Sequence, residues 1–111
     1  MMPRKVVPFH QELSPSFRDF VDIYKVTEGT AILDEIECYS DVADPDVVLL
    51  AVYYGNLHVY PAKGQVSITQ RAFRDRIGFK YPNYTPIRLY LVNKDDANAH
   101  KVWGTIELEV V

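Results

Sequence analysis

One cysteine in 111 residues, Cys38, rules out an intramolecular disulfide, so packing and hydrogen bonds alone must hold the fold. No apolar run approaches the ~18 residues that a membrane-spanning helix needs. The basic start, Met1-Met2-Pro3-Arg4-Lys5, has no apolar stretch behind it of the kind a secretory leader carries. A strong charge of one sign is missing too: 12 Lys and Arg against 15 Asp and Glu give −3, without the basic surplus of a nucleic-acid binder. There is no Gly-rich phosphate loop and no nucleophile elbow. The three histidines, His10, His58 and His100, lie far apart, and none has a second ligand type at metal-binding spacing on its own element. These absences predict a protein that is not an enzyme, needs no metal or cofactor, takes no small-molecule substrate, and binds neither nucleic acid nor membrane.

What the chain does have is apolar and aromatic side chains in short runs. An apolar content of 48% is too high for a disordered chain. The 8 tyrosines supply large rings with polar tips, suited to half-buried strands and to interfaces. Period-two alternation marks residues 30–39, where Glu35 and Glu37 oppose Ile36 and Cys38. It also marks residues 87–93, where Ile87, Leu89 and Leu91 oppose Arg88 and Tyr90. It is clearest over residues 101–111, where Ile106, Leu108 and Val110 face inward and Thr105, Glu107 and Glu109 face water. Residues 47–54 are apolar without alternation, so both faces of that strand should be covered. Gly55-Asn56 is a tight turn that returns residues 57–60 antiparallel. Further short runs at 20–27 and 65–69 complete the series. Residues 70–77 are the one helix candidate, with Thr69 as cap, Phe73 and Ile77 four apart, and Gly78 as terminator. The acidic turns around Asp41–Asp46 and Asp95-Asp96 lack calcium-loop spacing and read as solvated. The fold expected is all-β: an antiparallel sandwich of jelly-roll type over residues 20–111, with at most one short helix.

Residues 1–19 differ from the rest. Pro3, Pro8 and Pro15 each remove a backbone donor and discourage regular pairing, yet Phe9, Leu13 and Phe17 are apolar anchors that a solvated tail would lack. The segment reads as an extended arm that lies on a surface, either its own domain's or a partner's. Read as a partner tether, it predicts that deleting residues 1–16 leaves folding nearly intact and weakens partner binding.

Two further features point outward. Arg71 and Arg74 would share one face of the helix, together with Arg76 in the same basic cluster; such forks suit carboxylates on a protein as well as phosphates, and a plain solvated face is the alternative. Trp103 shares its parity with Thr105 and Glu107, which places the indole on the outer face of the last strand, either covered by a loop or the arm, or free for an interface. Outward aromatics predict self-association as a homodimer. Two functions compete on this reading. One is an interaction protein that grips others with its arm and loops. The other is a carbohydrate-binding β-sandwich module that uses Tyr53, Tyr54, Tyr60, Tyr81, Tyr84 and Trp103 as a stacking platform.

The arm Val6-Val7-Pro8-Phe9-His10, the strand series, the chain size and the ending Val102-Trp103-Gly104-Thr105-Ile106-Glu107-Leu108-Glu109-Val110-Val111 resemble one family. It is that of the small capsid decoration, or stapling, proteins of epsilon-fifteen-like short-tailed bacteriophages. The resemblance implies a structural virion protein, made in the host cytoplasm and seated on the outer surface of an icosahedral capsid, where it pairs as a dimer and ties major capsid protein subunits together. The partner-binding residues expected are Phe9, Leu13, Phe17, Arg71, Arg74, Tyr84 and Trp103.

Overall fold

The computed structural model describes residues 4–25, 30–71, 73–82 and 86–110. Nine strands follow in chain order: β1 (Arg4–Leu13), β2 (Arg18–Lys25), β3 (Thr30–Ser40), β4 (Val48–Tyr54), β5 (Leu57–Tyr60), β6 (Val66–Ile68), β7 (Phe73–Pro82), β8 (Pro86–Asn93) and β9 (His100–Val110). They form two antiparallel sheets, β1-β9-β3-β7 and β2-β8-β4-β5, with β6 pairing the other half of β4's edge beyond β5. From β1 to β4, and again from β7 to β9, the chain crosses to the opposite sheet at each step. That winding, with β5 and β6 filling one edge position, is a jelly roll. The all-β sandwich read from the period-two runs is therefore what forms.

The core lies between the sheets. Leu33, Ile36, Ile106 and Leu108 from the first sheet meet Leu50, Leu89 and Leu91 from the second, and all are essentially inaccessible to water. In β3 the inward set changes phase, from Ala31 and Leu33 to Ile36, Cys38 and Ser40. A bulge at Asp34 against β9 makes the change, and it turns Glu35 and Glu37 to the outside as the alternation requires. Burial pushes the Cys38 thiol up to about 12, so this cysteine packs as an inert small apolar group.

Two expectations need correction. The helix over 70–77 does not form: Phe73 begins β7, which pairs with β3 from Cys38↔Phe73 to Thr30↔Pro82. Phe73 and Ile77, four apart, satisfy a period of two as well as a helical period. The open edge of β3 offers a full hydrogen-bonded ladder, whereas so short a helix has little stability of its own. Gly78, read as a helix terminator, instead sits in the β7 bulge at φ +64°, a left-handed conformation that glycine takes at little cost.

Of the two surfaces expected for the segment, the described Arg4–Leu13 lie on their own domain, and as a full sheet strand rather than a separate arm. β1 pairs with β9 along ten residues, from Arg4↔Glu109 to Leu13↔His100. Its Val7, Phe9 and Leu13 are buried in the core. The prolines do not prevent this. Among the described residues β1 is an edge strand with β9 as its one ladder neighbour, so Pro8 can be accommodated there, and Pro15 lies in the turn that leads to β2.

Candidate partner-binding surfaces

The jelly roll presents two outer sheet faces and a loop end, and the sequence-predicted residues distribute among these and the core. Leu13 is a core residue, 0% exposed, whereas Phe9, packed in the core and 8% exposed, also borders the depression beside Trp103. Phe17 is half-buried against the core; its carbonyl accepts from the Asn93 amide at 2.8 Å. Arg71 is exposed in the loop between β6 and β7. Arg74 lies on the outer face of β7, where its Nε and Nη2 both donate to Glu35 on β3. The two arginines therefore do not form the shared helical face expected of them. Tyr84 lies outside the described residues.

Trp103 is where parity placed it, on the outer face of the first sheet and 38% exposed. Its indole stacks on Tyr39 of β3, with ring centroids 5.9 Å apart and planes within 16°. The Tyr39 hydroxyl donates to Glu37 at 2.6 Å, and that acceptor raises the phenol's pKa. Beside the stacked pair is a shallow, mainly apolar depression of about 370 Å³ lined by Pro8, Phe9, Glu37, Tyr39, Trp103 and Thr105. Val6, 53% exposed, extends the apolar surface along β1. Toward the far end of this face Arg4 binds three carboxylates: Asp34, Glu107 at 2.9 Å and Glu109 at 3.1 Å. An apolar centre with charged, internally paired surroundings has the anatomy of a protein contact.

Among the described residues, the aromatics expected to form one stacking platform are divided. Trp103 and Tyr53 lie on opposite sheets, Tyr54 and Tyr60 pack against the core, and Tyr84 and the Tyr81 side chain lie outside the described positions. A different aromatic group gathers on the outer face of the second sheet. Phe20, Tyr53, Tyr90 and His58 come from four strands, with centroids 4.9 Å apart for Phe20–Tyr53, 4.8 Å for Phe20–Tyr90 and 5.0 Å for Tyr53–His58. Parity in β8 had already turned Tyr90 outward. Its meeting with Phe20 needed the β2–β8 register, which no local pattern encodes.

The loop end is tied by the buried Asn93 and the half-buried His100. The Asn93 side-chain amide donates to the carbonyls of Ser14 at 3.1 Å and Asn98 at 3.0 Å, while its oxygen accepts from the Asp95 amide at 3.0 Å. His100 bridges two loops, with Nδ1 to Asp41 at 3.0 Å and Nε2 to Asp95 at 2.9 Å. Burial opposes the charge on His100, but the two carboxylates outweigh it and raise its pKa above the ordinary 6.5. Asp95 is held well below the usual carboxylate range by the Ala97 amide, then by His100 and Asn98. A raised histidine contributes stability below its unfolded pKa and loses it as pH rises through the folded value. A depressed aspartate contributes above its unfolded pKa and loses it as pH falls. The melting temperature is therefore expected to plateau between about pH 4 and 6.5 and to fall on either side. Scanning calorimetry across pH should show the alkaline decline flattened in His100→Gln; an unchanged alkaline slope in that variant contradicts the assignment.

Among the described residues no group of three or more His, Cys, Asp or Glu is placed to hold a metal ion, and no helix is long and apolar enough to cross a membrane. No family model matches the chain, and no curated protein matches it. Solved structures do. A chain of the cyanophage Pam1 capsid asymmetric unit aligns with a TM-score of 0.63 at 15% identity, over 99% of this chain and 86% of that one. The VP2 subviral particle of infectious bursal disease virus aligns at 0.52 and 9% identity over 96% of this chain, which spans 33% of the VP2 chain. A CBM4 protein aligns at 0.50 and 9% identity, over 96% of this chain and 94% of that one. At such identities the likeness is one of fold.

Proposed function

We propose that this chain is a structural virion protein that seats on the outer surface of an icosahedral phage capsid and staples neighbouring major capsid subunits. One observation carries the reading: the jelly roll matches, over almost its whole length, a chain of similar size from a cyanophage capsid. The fold alone does not separate this role from others, since a CBM4 protein shares it. The first-sheet outer face adds to the case. A stapling protein needs no chemistry, only surface burial repeated around a symmetric shell, where many modest contacts act together. Trp103 stacked on Tyr39, with Pro8 and Val6 beside it, offers such a contact without disturbing the core. Because Phe9 and Leu13 belong to the core, the gripping element is this sheet face rather than an arm. Copies pair two-fold on the shell, so one patch is buried twice.

The test uses the phage that encodes the chain. Particles assembled without the gene should lack an outer density in electron cryomicroscopy, and purified protein should restore it as two-fold pairs. Trp103→Ala is expected to weaken that binding at least tenfold, a loss of about 1.4 kcal/mol or more. Its melting temperature should stay close to the parent's because the indole lies outside the core. Failure of the purified protein to add to deficient particles overturns the role; full occupancy by the Trp103 variant overturns the face.

A further inference from the structure

We propose that the outer face of the second sheet is a binding site for an acidic saccharide, with Tyr53 and Tyr90 as the stacking surface and Arg18 as the anion contact. This inference does not rest on the virion role. The two sheet faces are separate surfaces, and this one presents a different chemistry from the face around Trp103.

The site is built by register. Phe20↔Tyr90 and Tyr53↔His58 are directly opposed pairs, and β8 and β4 set Tyr90 against Ala51. The small Ala51 side chain, 1% exposed, lets the surrounding rings close over it. A depression of about 300 Å³ is lined by Arg18, Tyr53, His58, Gln65 and Tyr90, with Val92 among its apolar walls. A second, of about 390 Å³, shares Arg18 and Val92 and adds Lys94. Two adjoining hollows with common walls suit an oligosaccharide better than a single compact ligand.

The polar groups fit the same class. A sugar ring offers C–H-rich faces for stacking and hydroxyls at its rim, and tyrosine matches both with one side chain. Neither the Tyr53 nor the Tyr90 hydroxyl has a hydrogen-bond partner among the described residues, so both are free to meet sugar hydroxyls. His58 Nε2 lies 2.6 Å from the Pro61 carbonyl. A carbonyl only accepts, so Nε2 carries a proton and donates it there.

Charge then selects among saccharides. Arg88 on this face is already engaged, paired with Asp22 at 2.9 Å and lying over the Phe20 ring at 4.2 Å. Arg18 has no ion-pair partner among the described residues, and Lys94 lies along the adjoining hollow. Two uncommitted cations beside an aromatic surface, on a chain of net charge −3, favour a carboxylated sugar over a neutral one.

The test titrates trigalacturonate, and separately the neutral galactotriose, into the full-length ¹⁵N-labelled chain. Amide shifts centred on Arg18, Tyr53, His58, Gln65 and Tyr90 should saturate with trigalacturonate, and galactotriose should bind at least about tenfold more weakly. Arg18→Gln, at an exposed position, should remove the preference for the acidic probe. Tyr90→Phe keeps the ring and should weaken both probes several-fold, a milder change than Tyr53→Ala in case that variant is poorly folded. No saturating shift with either probe up to about 10 mM overturns the site, as do shifts confined to the Trp103 face. Equal binding of the two probes overturns the acidic class. A particle map with this face pressed against the shell would assign it to a protein contact and overturn the proposal, whereas failure to bind capsids would leave the titration unaffected.

Discussion

A chain lacking residues 1–16 is expected to be unfolded at room temperature. The deletion removes the whole of β1 and with it Val7, Phe9 and Leu13 from the core. Burial of such side chains contributes about 1.5–3 kcal/mol each, so their combined loss is of the same order as the entire net stability of a small domain, about 5–15 kcal/mol. The damage extends further. β9 loses its ten-residue partner, and Val102, Ile106 and Leu108, now inaccessible to water, lose the apolar neighbours that β1 supplies. An open β9 edge would also be a template for aggregation. Circular dichroism should show loss of the cooperative melt, and amide spectra should collapse to the narrow dispersion of a disordered chain. A truncated protein that melts cooperatively within a few degrees of the parent contradicts the placement of β1. The same result separates the two readings of the segment: an arm can be removed at the expense of binding alone, a strand cannot.

Gly104→Ala is expected to be the most damaging single substitution described for this chain. A Cβ at position 104 would lie 2.1 Å from the Glu37 carbonyl oxygen, 2.7 Å from the Cys38 Cα and 2.9 Å from the Cys38 Cβ. The two closest atoms belong to backbone, and β3 cannot recede, because it is held between β9 and β7 in the interior of its sheet. Ordinary overpacking costs about 1–3 kcal/mol; a clash that separates two central strands should exceed that range and lower the melting temperature by more than about 10 °C. Gly78→Ala is the matched control. Nothing lies within 4 Å of its added Cβ, and only the positive φ of 64° is strained, at a cost of about 1–2 kcal/mol. The relative order of the two melting temperatures checks the argument; equal losses would show that backbone conformation, not the close approach of β9 to β3, governs position 104.

The sequence was most informative where one face of a strand had to be buried. Alternation foretold that Ile106 and Leu108 of β9 and Ile87, Leu89 and Leu91 of β8 turn inward, and that Ile36 and Cys38 of β3 do so against Glu35 and Glu37; the bulge at Asp34 that changes the phase of β3 was not visible. The hairpin at Gly55-Asn56 was legible because a two-residue loop demands those residue types. Trp103 was legible as outward for the same reason of parity.

Where two local readings were both allowed, pattern alone chose wrongly. Residues 70–77 satisfy a helical and a strand period at once, and what decided between them was the edge of β3, which lies more than thirty residues away in sequence and adjacent only in the fold. Proline counts suggested that residues 1–19 would not pair, but the cost of a proline depends on whether its strand lies at an edge, a property of sheet order rather than of composition. The second-sheet site is similar: Phe20, Tyr53, His58 and Tyr90 lie on four strands spread over seventy residues of chain, and only register brings their rings within contact. Thus the sequence by itself determined the all-β class, the inward and outward faces of most strands and the lack of any local catalytic motif, because each follows from the period of a pleated strand or from short-range residue spacing. Strand order, the capture of β1 and β7, the close approach at Gly104 and the aromatic group on the second sheet were decided by tertiary structure alone, because long-range hydrogen-bonded pairing sets which side chains become neighbours and leaves no trace in local pattern.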